Sequence, residues 1–236
     1  MTTGFEVRRN DGKEAVSSIY PHYCFIKKIR LSATVHWWDT SGQQYSDHVI
    51  VAFRQVDSTK LNVGRFSKGR QILWNEFSPA PPPTSATLSL FSYEVADAYI
   101  FDIAPTIPAN RYGLQVFNEA GVCTFDASRR FMRIVDVIQD NAPVSTNPWV
   151  GSNPFKRYSY PVDHKLAVIP LKEGYHVVYS RDSEQMYGKT WQRVFDGGVD
   201  VYMNYFYEDG GTTSDGSRRH LQFTTVVIDV SHLDVL

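Results

Sequence analysis

Segments in which apolar and polar positions alternate with a period of two, together with short apolar runs, recur along the whole chain. These are Ala33–Trp38, His48–Val56, Ala86–Tyr93, Ala98–Ile103, Gly113–Phe117, Val122–Phe125, Phe131–Ile138, His164–Ile169, Tyr175–Tyr179, Val199–Tyr207 and Leu221–Val230. A two-residue period sends successive side chains to opposite faces, so each segment reads as a β-strand. Between them lie Thr40-Ser41-Gly42, Asp196-Gly197-Gly198 and Asp209-Gly210-Gly211, whose glycines supply the positive φ of tight turns. The best helical candidate, Ser183–Tyr187, is too short to stand alone. The expected fold class is all-β.

The chain also echoes itself. Gly4-Phe5-Glu6-Val7 with Asn10-Asp11-Gly12 resembles Gly113-Leu114-Gln115-Val116 with Asn118-Glu119-Ala120-Gly121, and Gly4, Val7 and Gly12 each stand 109 residues before their counterparts. Each copy runs on through a polar stretch, Ser17-Ser18 or Asp126-Ala127-Ser128, to an apolar segment, Phe25-Ile26-Lys27 or Phe131-Met132-Arg133. Strand, turn, second strand and a crossing to a third make a small meander. The expected organisation is therefore two tandem antiparallel β-sandwich-like domains, residues 1–109 and 110–236, meeting near Pro105, Pro108 and Asn110.

Two segments interrupt the strand rhythm. Ser78–Thr84, rich in proline, reads as an extended connection that cannot donate a regular ladder. Gln139–Lys156 reads as a long Asn/Pro-rich arm, with Trp149 and Phe155 as docking anchors.

Charge narrows the function. The 236 residues hold 24 Lys plus Arg against 25 Asp plus Glu, and neither half has a basic excess, so no nucleic-acid partner is expected. With 42% hydrophobic and 14% aromatic residues the chain can build a core. The apolar runs, such as Leu166–Leu171, are far below the ~20 residues of a helical membrane span, and the first residues carry no secretory pattern, so the chain is expected to fold where it is made. Cys24 and Cys123 are too far apart in sequence for a close-spaced thiolate metal site and read as reduced thiols.

No catalytic, cofactor or metal residues are assigned. Asp47-His48 and Asp163-His164 are neighbours whose side chains diverge on a strand, which disfavours acid-base couples. His22 with Cys24, and His36 with His48, are scattered rather than spaced as ligands. The aromatics are more telling. Trp37 and Trp38 must point to opposite faces of one strand, and Val199–Tyr207 carries Tyr205 and Tyr207 on one face and Tyr202 and Phe206 on the other. Such strands pack between layers, meet another subunit or offer a platform to a sugar ring. The interface candidates are Trp38, Trp149, Phe155 and Tyr202.

The stretch Tyr112–Asp126, leading into Arg130–Asp136, resembles small tailed-bacteriophage (siphophage) structural proteins of the tail-tip and tail-fibre region, as does Gly4–Ser18. The first copy departs from the pattern at Arg8-Arg9, where the strand would end apolar, and at Lys13-Glu14, where the second copy has Val122-Cys123. The resemblance implies a non-enzymatic virion protein of the tail tip, made in the host cytoplasm, that binds the central fibre or tail-tip hub and supports host attachment. The long arm and the aromatic strands lead to the expectation of a homo-oligomer, and three copies around a fibre axis is what the resemblance implies. It carries no catalytic residue onto these positions. Two rival expectations are a carbohydrate-binding module attaching the particle to cell-surface glycan, and a β-fold glycoside hydrolase using two carboxylates.

Overall fold

The computed structural model describes residues 6–8, 14–17, 22–34, 36–39, 41, 43–60, 62, 64–68, 88–103, 114–121, 123–144, 154–179, 184–209 and 216–233. Among the described residues the elements are strands, apart from a 3-10 turn at Ser231–Leu233. The first half contributes β1 (Glu6–Arg8), β2 (Glu14–Ser17), β3 (Tyr23–Leu31), β4 (His36–Trp38), β5 (Ile50–Gln55), β6 (Gly64–Lys68), β7 (Leu88–Ser92) and β8 (Ala96–Ile103). The second contributes β9 (Gln115–Phe117), β10 (Cys123–Asp126), β11 (Arg133–Asn141), β12 (Phe155–Ser159), β13 (Leu166–Lys172), β14 (Tyr175–Tyr179), β15 (Glu184–Phe195), β16 (Gly198–Asp209), β17 (Gly216–His220) and β18 (Gln222–Asp229). All pairings are antiparallel.

The 109-residue echo reappears in backbone register. In β1–β2 the partners are Glu6–Ser17, Val7–Val16 and Arg8–Glu14; in β9–β10 they are Gln115–Asp126, Val116–Phe125 and Phe117–Cys123. Each pair in the second set lies 109 positions after one in the first, and both hairpins slip register at the same step. The following strands agree as well. β3 skips Ile26 where it pairs β8, and β11 skips Val135, again 109 residues later, where it pairs β18. A bulge adds a residue and bends its strand, so its repetition at one offset preserves the same local curvature twice.

The largest sheet has the order β11-β18-β13-β5-β8-β3. Its halves, β3-β8-β5 and β11-β18-β13, join where Val168 of β13 stands opposite Phe53 of β5. The sheet then rolls until its edges meet. Cys24 at the start of β3 bridges Phe131, just before β11, flanked by the bonds Phe25 N to Arg130 O (2.7 Å) and Met132 N to Tyr23 O (3.0 Å). Tyr23 and Met132 are themselves 109 positions apart, so this closure pairs equivalent segments about a local pseudo-twofold.

Strand alternation sorts the two faces of this sheet. The inside of the roll holds Ala52, Tyr99, Phe101, Ala167, Ile169 and Ile228, all at most 1% exposed, with Phe25, Met132 and Leu233 around them. The outside carries Val51, Phe53, Ala98 and Ile100, covered by the small sheet β4-β7-β6 through Leu88, Leu90 and Trp37. It also carries Leu166, Val168 and Val227, covered by the sheet β12-β16-β15-β14-β17 through Val194, Val199, Val201 and Met203. Asn62 and Gln192 exchange backbone bonds of 2.7 and 2.9 Å and tie the lead-in of β6 to β15. Both faces being buried explains why β8 reads as an almost continuous apolar run.

Each edge strand is protected by its own device. On β3, Lys27, Lys28 and Arg30 put charge along the edge, with Lys27 paired to Asp39 and Arg30 to Asp97 at 2.5 Å. On β11, the amides of Val137 and Asn141 donate to the carboxylates of Asp136 and Asp140 at 2.7 Å. Those carboxylates also accept the hydroxyls of Tyr160 (2.9 Å) and Tyr158 (2.8 Å).

Some expectations are corrected. Glu184–Tyr187, too short for a helix and given no strand by the sequence pattern, begins the long strand β15, where its partners Asp209 to Phe206 on β16 complete the ladder. The proposed arm is shorter than Gln139–Lys156, since Gln139–Asn141 finish β11 and Phe155–Lys156 open β12. Ala33 and Thr34 form a turn, with Thr34 at φ 56°, rather than the start of a strand. Residues 78–84 and 104–113, which hold the proline-rich connection and the domain junction, lie outside the described residues.

Candidate binding surface

The β15–β16 hairpin turns at Asp196-Gly197, where Gly197 has φ 77° and the neighbouring Val162 backbone would meet any added Cβ at 3.0 Å. A turn centred there sets the register: residues equidistant from it pair, so Arg193 stands opposite Asp200 and Trp191 opposite Tyr202. On the other side of β16, β12 brings Arg157 opposite Asp200 and Phe155 opposite Tyr202. Two three-residue rows therefore run across the outer face of the sheet, Arg157-Asp200-Arg193 and Phe155-Tyr202-Trp191.

The charged row is a clamp. Asp200, with no exposed side-chain surface, accepts Arg157 Nε (2.7 Å) and Nη2 (2.9 Å) from one side and Arg193 Nε (3.1 Å) and Nη2 from the other. Burial pushes the Asp200 carboxyl up, and the two guanidiniums outweigh it, leaving it below its ordinary range. The clamp fixes the arginines over the rings. Arg193 Cζ lies 5.5 Å from the Tyr202 ring centre, Tyr202 stacks on Phe155 at 5.1 Å and 24°, and Arg157 Cζ lies 5.7 Å from Phe155 and 5.2 Å from Phe195. The result is a ladder of alternating cations and rings, with Phe155 49% exposed. Trp191 ends the aromatic row beneath Tyr93, edge to face at 4.5 Å, and its buried indole N–H has no hydrogen-bond partner.

Two of the four interface candidates, Phe155 and Tyr202, thus come together in one stacked pair. Trp38 lies on β4 with its backbone opposite Ser89, in a different sheet. Trp149 lies outside the described residues. Sequence reasoning missed Arg157, Arg193 and Asp200, although counting outward from Asp196-Gly197 pairs Arg193 with Asp200 directly.

Elsewhere the charged groups are bound into the fold. A polar cleft of about 490 Å³ opens at one end of the roll beside Arg30, Arg54, Asp97, Asp163, Lys165 and Asp196. In it, Arg54 donates to Leu166 O (2.8 Å) and Asp196 (2.9 Å), and Arg30 holds Asp97. Asp39 receives Lys27, Ser41 and Tyr45; burial raises its carboxyl, these bonds lower it further, and the net result is about 2. His22 Nδ1 lies 3.1 Å from Thr124 O, and burial pushes the Cys24 thiol up to about 12. Among the described residues no cluster of His, Cys, Asp and Glu is arranged to hold a metal ion, and no helix is long and apolar enough to cross a membrane.

Comparison of the chain with protein-family models, curated proteins and solved structures found no match.

Proposed function

We propose that the protein is a non-enzymatic structural subunit of a phage tail tip, and that it docks on a central fibre or tail-tip hub through the Arg157–Phe155–Tyr202–Arg193 ladder. The tail-tip assignment rests on the resemblance of Gly4–Ser18 and of Tyr112–Asp126 with Arg130–Asp136; homo-oligomerisation rests on the aromatic surface, and its order of three copies about a fibre axis on the resemblance. The docking role rests on one observation: rings and guanidiniums held rigidly on an exposed sheet face. Tyr, Trp and Arg dominate binding energy at protein interfaces, and side chains immobilised beforehand lose little entropy on association. The repeated register supports two related β-sandwich-like units, residues 1–109 and 110–236, that share the rolled sheet.

The same geometry weighs against a glycan platform. A sugar stacks on the open face of a ring, whereas Tyr202 is covered by Arg193 and Phe155, and Phe155 by Tyr202 and Arg157. The test is the double variant Phe155→Ala/Tyr202→Ala. It should stay folded and lose more than ~2 kcal/mol in assembly, read as incorporation into particles beside the thermal midpoint of the free protein. Normal incorporation, or glycan-array binding that the variant abolishes, overturns the docking reading.

A further inference from the structure

The docking reading leaves open what chemistry meets the ladder, and the hydrogen bonds of the arginines narrow it. Both guanidiniums engage Asp200 through the Nε and Nη2 edge, so the Nη1 side of each stays available for a second acceptor. Arg157 is half exposed, at 51%, and Arg193 one quarter exposed. Two cations share one carboxylate, so the clamp keeps a net positive charge on an otherwise near-neutral chain.

A second copy of this same surface, related by a twofold, would set arginine against arginine and repel. A saccharide finds the ring faces occupied. A planar carboxylate fits, because the guanidinium fork matches it in geometry and charge, and the ring edges of Phe155 and Tyr202 lie alongside to receive an apolar side chain.

Resting on the docking reading above, we infer that the partner presents an acidic protein segment, with carboxylates for Arg157 and Arg193 and an apolar side chain against the ring edges of Phe155 and Tyr202. The partner is thus recognised by charge as well as by fit, and the clamp of Asp200 keeps both forks at a fixed spacing.

The experiment titrates the full chain with an eight-residue alternating Glu-Leu peptide and with its Gln-Leu counterpart, following the Arg Nε–H resonances by NMR. The acidic peptide should bind at least about tenfold more tightly, weaken with added salt, and lose about tenfold in Arg157→Ala and Arg193→Ala. Arg157→Lys, which keeps the charge and loses the fork, should fall between. Equal binding of the two peptides, or acidic binding untouched in both alanine variants with the Arg resonances unmoved, overturns the inference. Particle incorporation of Phe155→Ala/Tyr202→Ala separates the two claims. If incorporation fails while the peptides bind equally, docking stands and the acidic partner falls; if incorporation is normal while the acidic peptide is preferred, the docking reading falls.

Discussion

The two halves share hairpin registers, bulges and a common ladder, yet their outward faces differ. In the first half, the middle strand of the small sheet, β7, is buried at all five positions, Leu88 to Ser92. In the second half, β16 alternates Val199, Val201 and Met203 inward with the partly open Tyr202 and Asn204 outward. The first half lines the edge of β3 with Lys27, Lys28 and Arg30, and the second places Arg157 and Arg193 on the outer face of β12 and β15. Backbone geometry is thus specified by a few positions, the bulges at Ile26 and Val135 and the short hairpin turns, while the remaining outward side chains are free to diverge. Divergence concentrated there gives one architecture two outward faces of different chemistry.

The strongest challenge to this comparison strikes the ladder that joins the halves. Phe53→Ala should cost about 3–5 kcal/mol and Val168→Ala about 2 kcal/mol, because each deletes part of a closed core on its own side of β5–β13. Since the rolled sheet is shared, each variant should lower one common thermal transition, seen alike by β-sheet circular dichroism and tryptophan fluorescence. Two separated transitions would show the halves to be independent.

Asp200→Ala sharpens the contrast in charge. It leaves two partly exposed guanidiniums without their carboxylate, so a loss of about 2 kcal/mol in urea is expected, discounted for the exposure of Arg157. In the first half, Asp97→Ala should cost about 1 kcal/mol, because Arg30 is 57% exposed. Equal losses would mean that the clamp is no more than a surface pair.

Acid titration gives an effect confined to low pH. Asp39, held at about 2, binds its proton more weakly in the folded chain than in the unfolded one. Its contribution, about 1–2 kcal/mol, is complete above the ordinary carboxylate range near pH 4 and disappears as pH falls toward 2. Asp200, also lowered, acts in the same direction. Asp39→Asn should flatten the acid limb of stability against pH between about 4 and 2 while leaving neutral-pH slopes unchanged. An unaltered acid limb would remove Asp39 from the account.

Much of the fold was legible because burial follows strand alternation. β16 carries that pattern plainly, β5, β8 and β18 show instead as short apolar runs, and the hairpin echo anticipated matching registers. β15 was hidden because Glu184-Gln185-Met186-Tyr187 contains good helix formers, and only its partner β16 forces it to extend. β12 was hidden by the Asn and Pro residues before it, which also led Phe155 to be assigned to an arm. The clamp was invisible in part because Arg157 and Asp200 are 43 positions apart and meet only once β12 is laid against β16. Sequence patterning names which residues face outward; long-range pairing decides which of them meet.

The closure of the rolled sheet also imposes an order in time. When the first half leaves the ribosome, β5 has no β13 beside it and the start of β3 has no Phe131 to bridge. The roll cannot complete until residues far along the chain have been made, and such long-range pairing is slow. A waiting first half therefore leaves the ladder of β5 open until the second half arrives, and an open strand edge is the surface most prone to pair with a neighbouring chain.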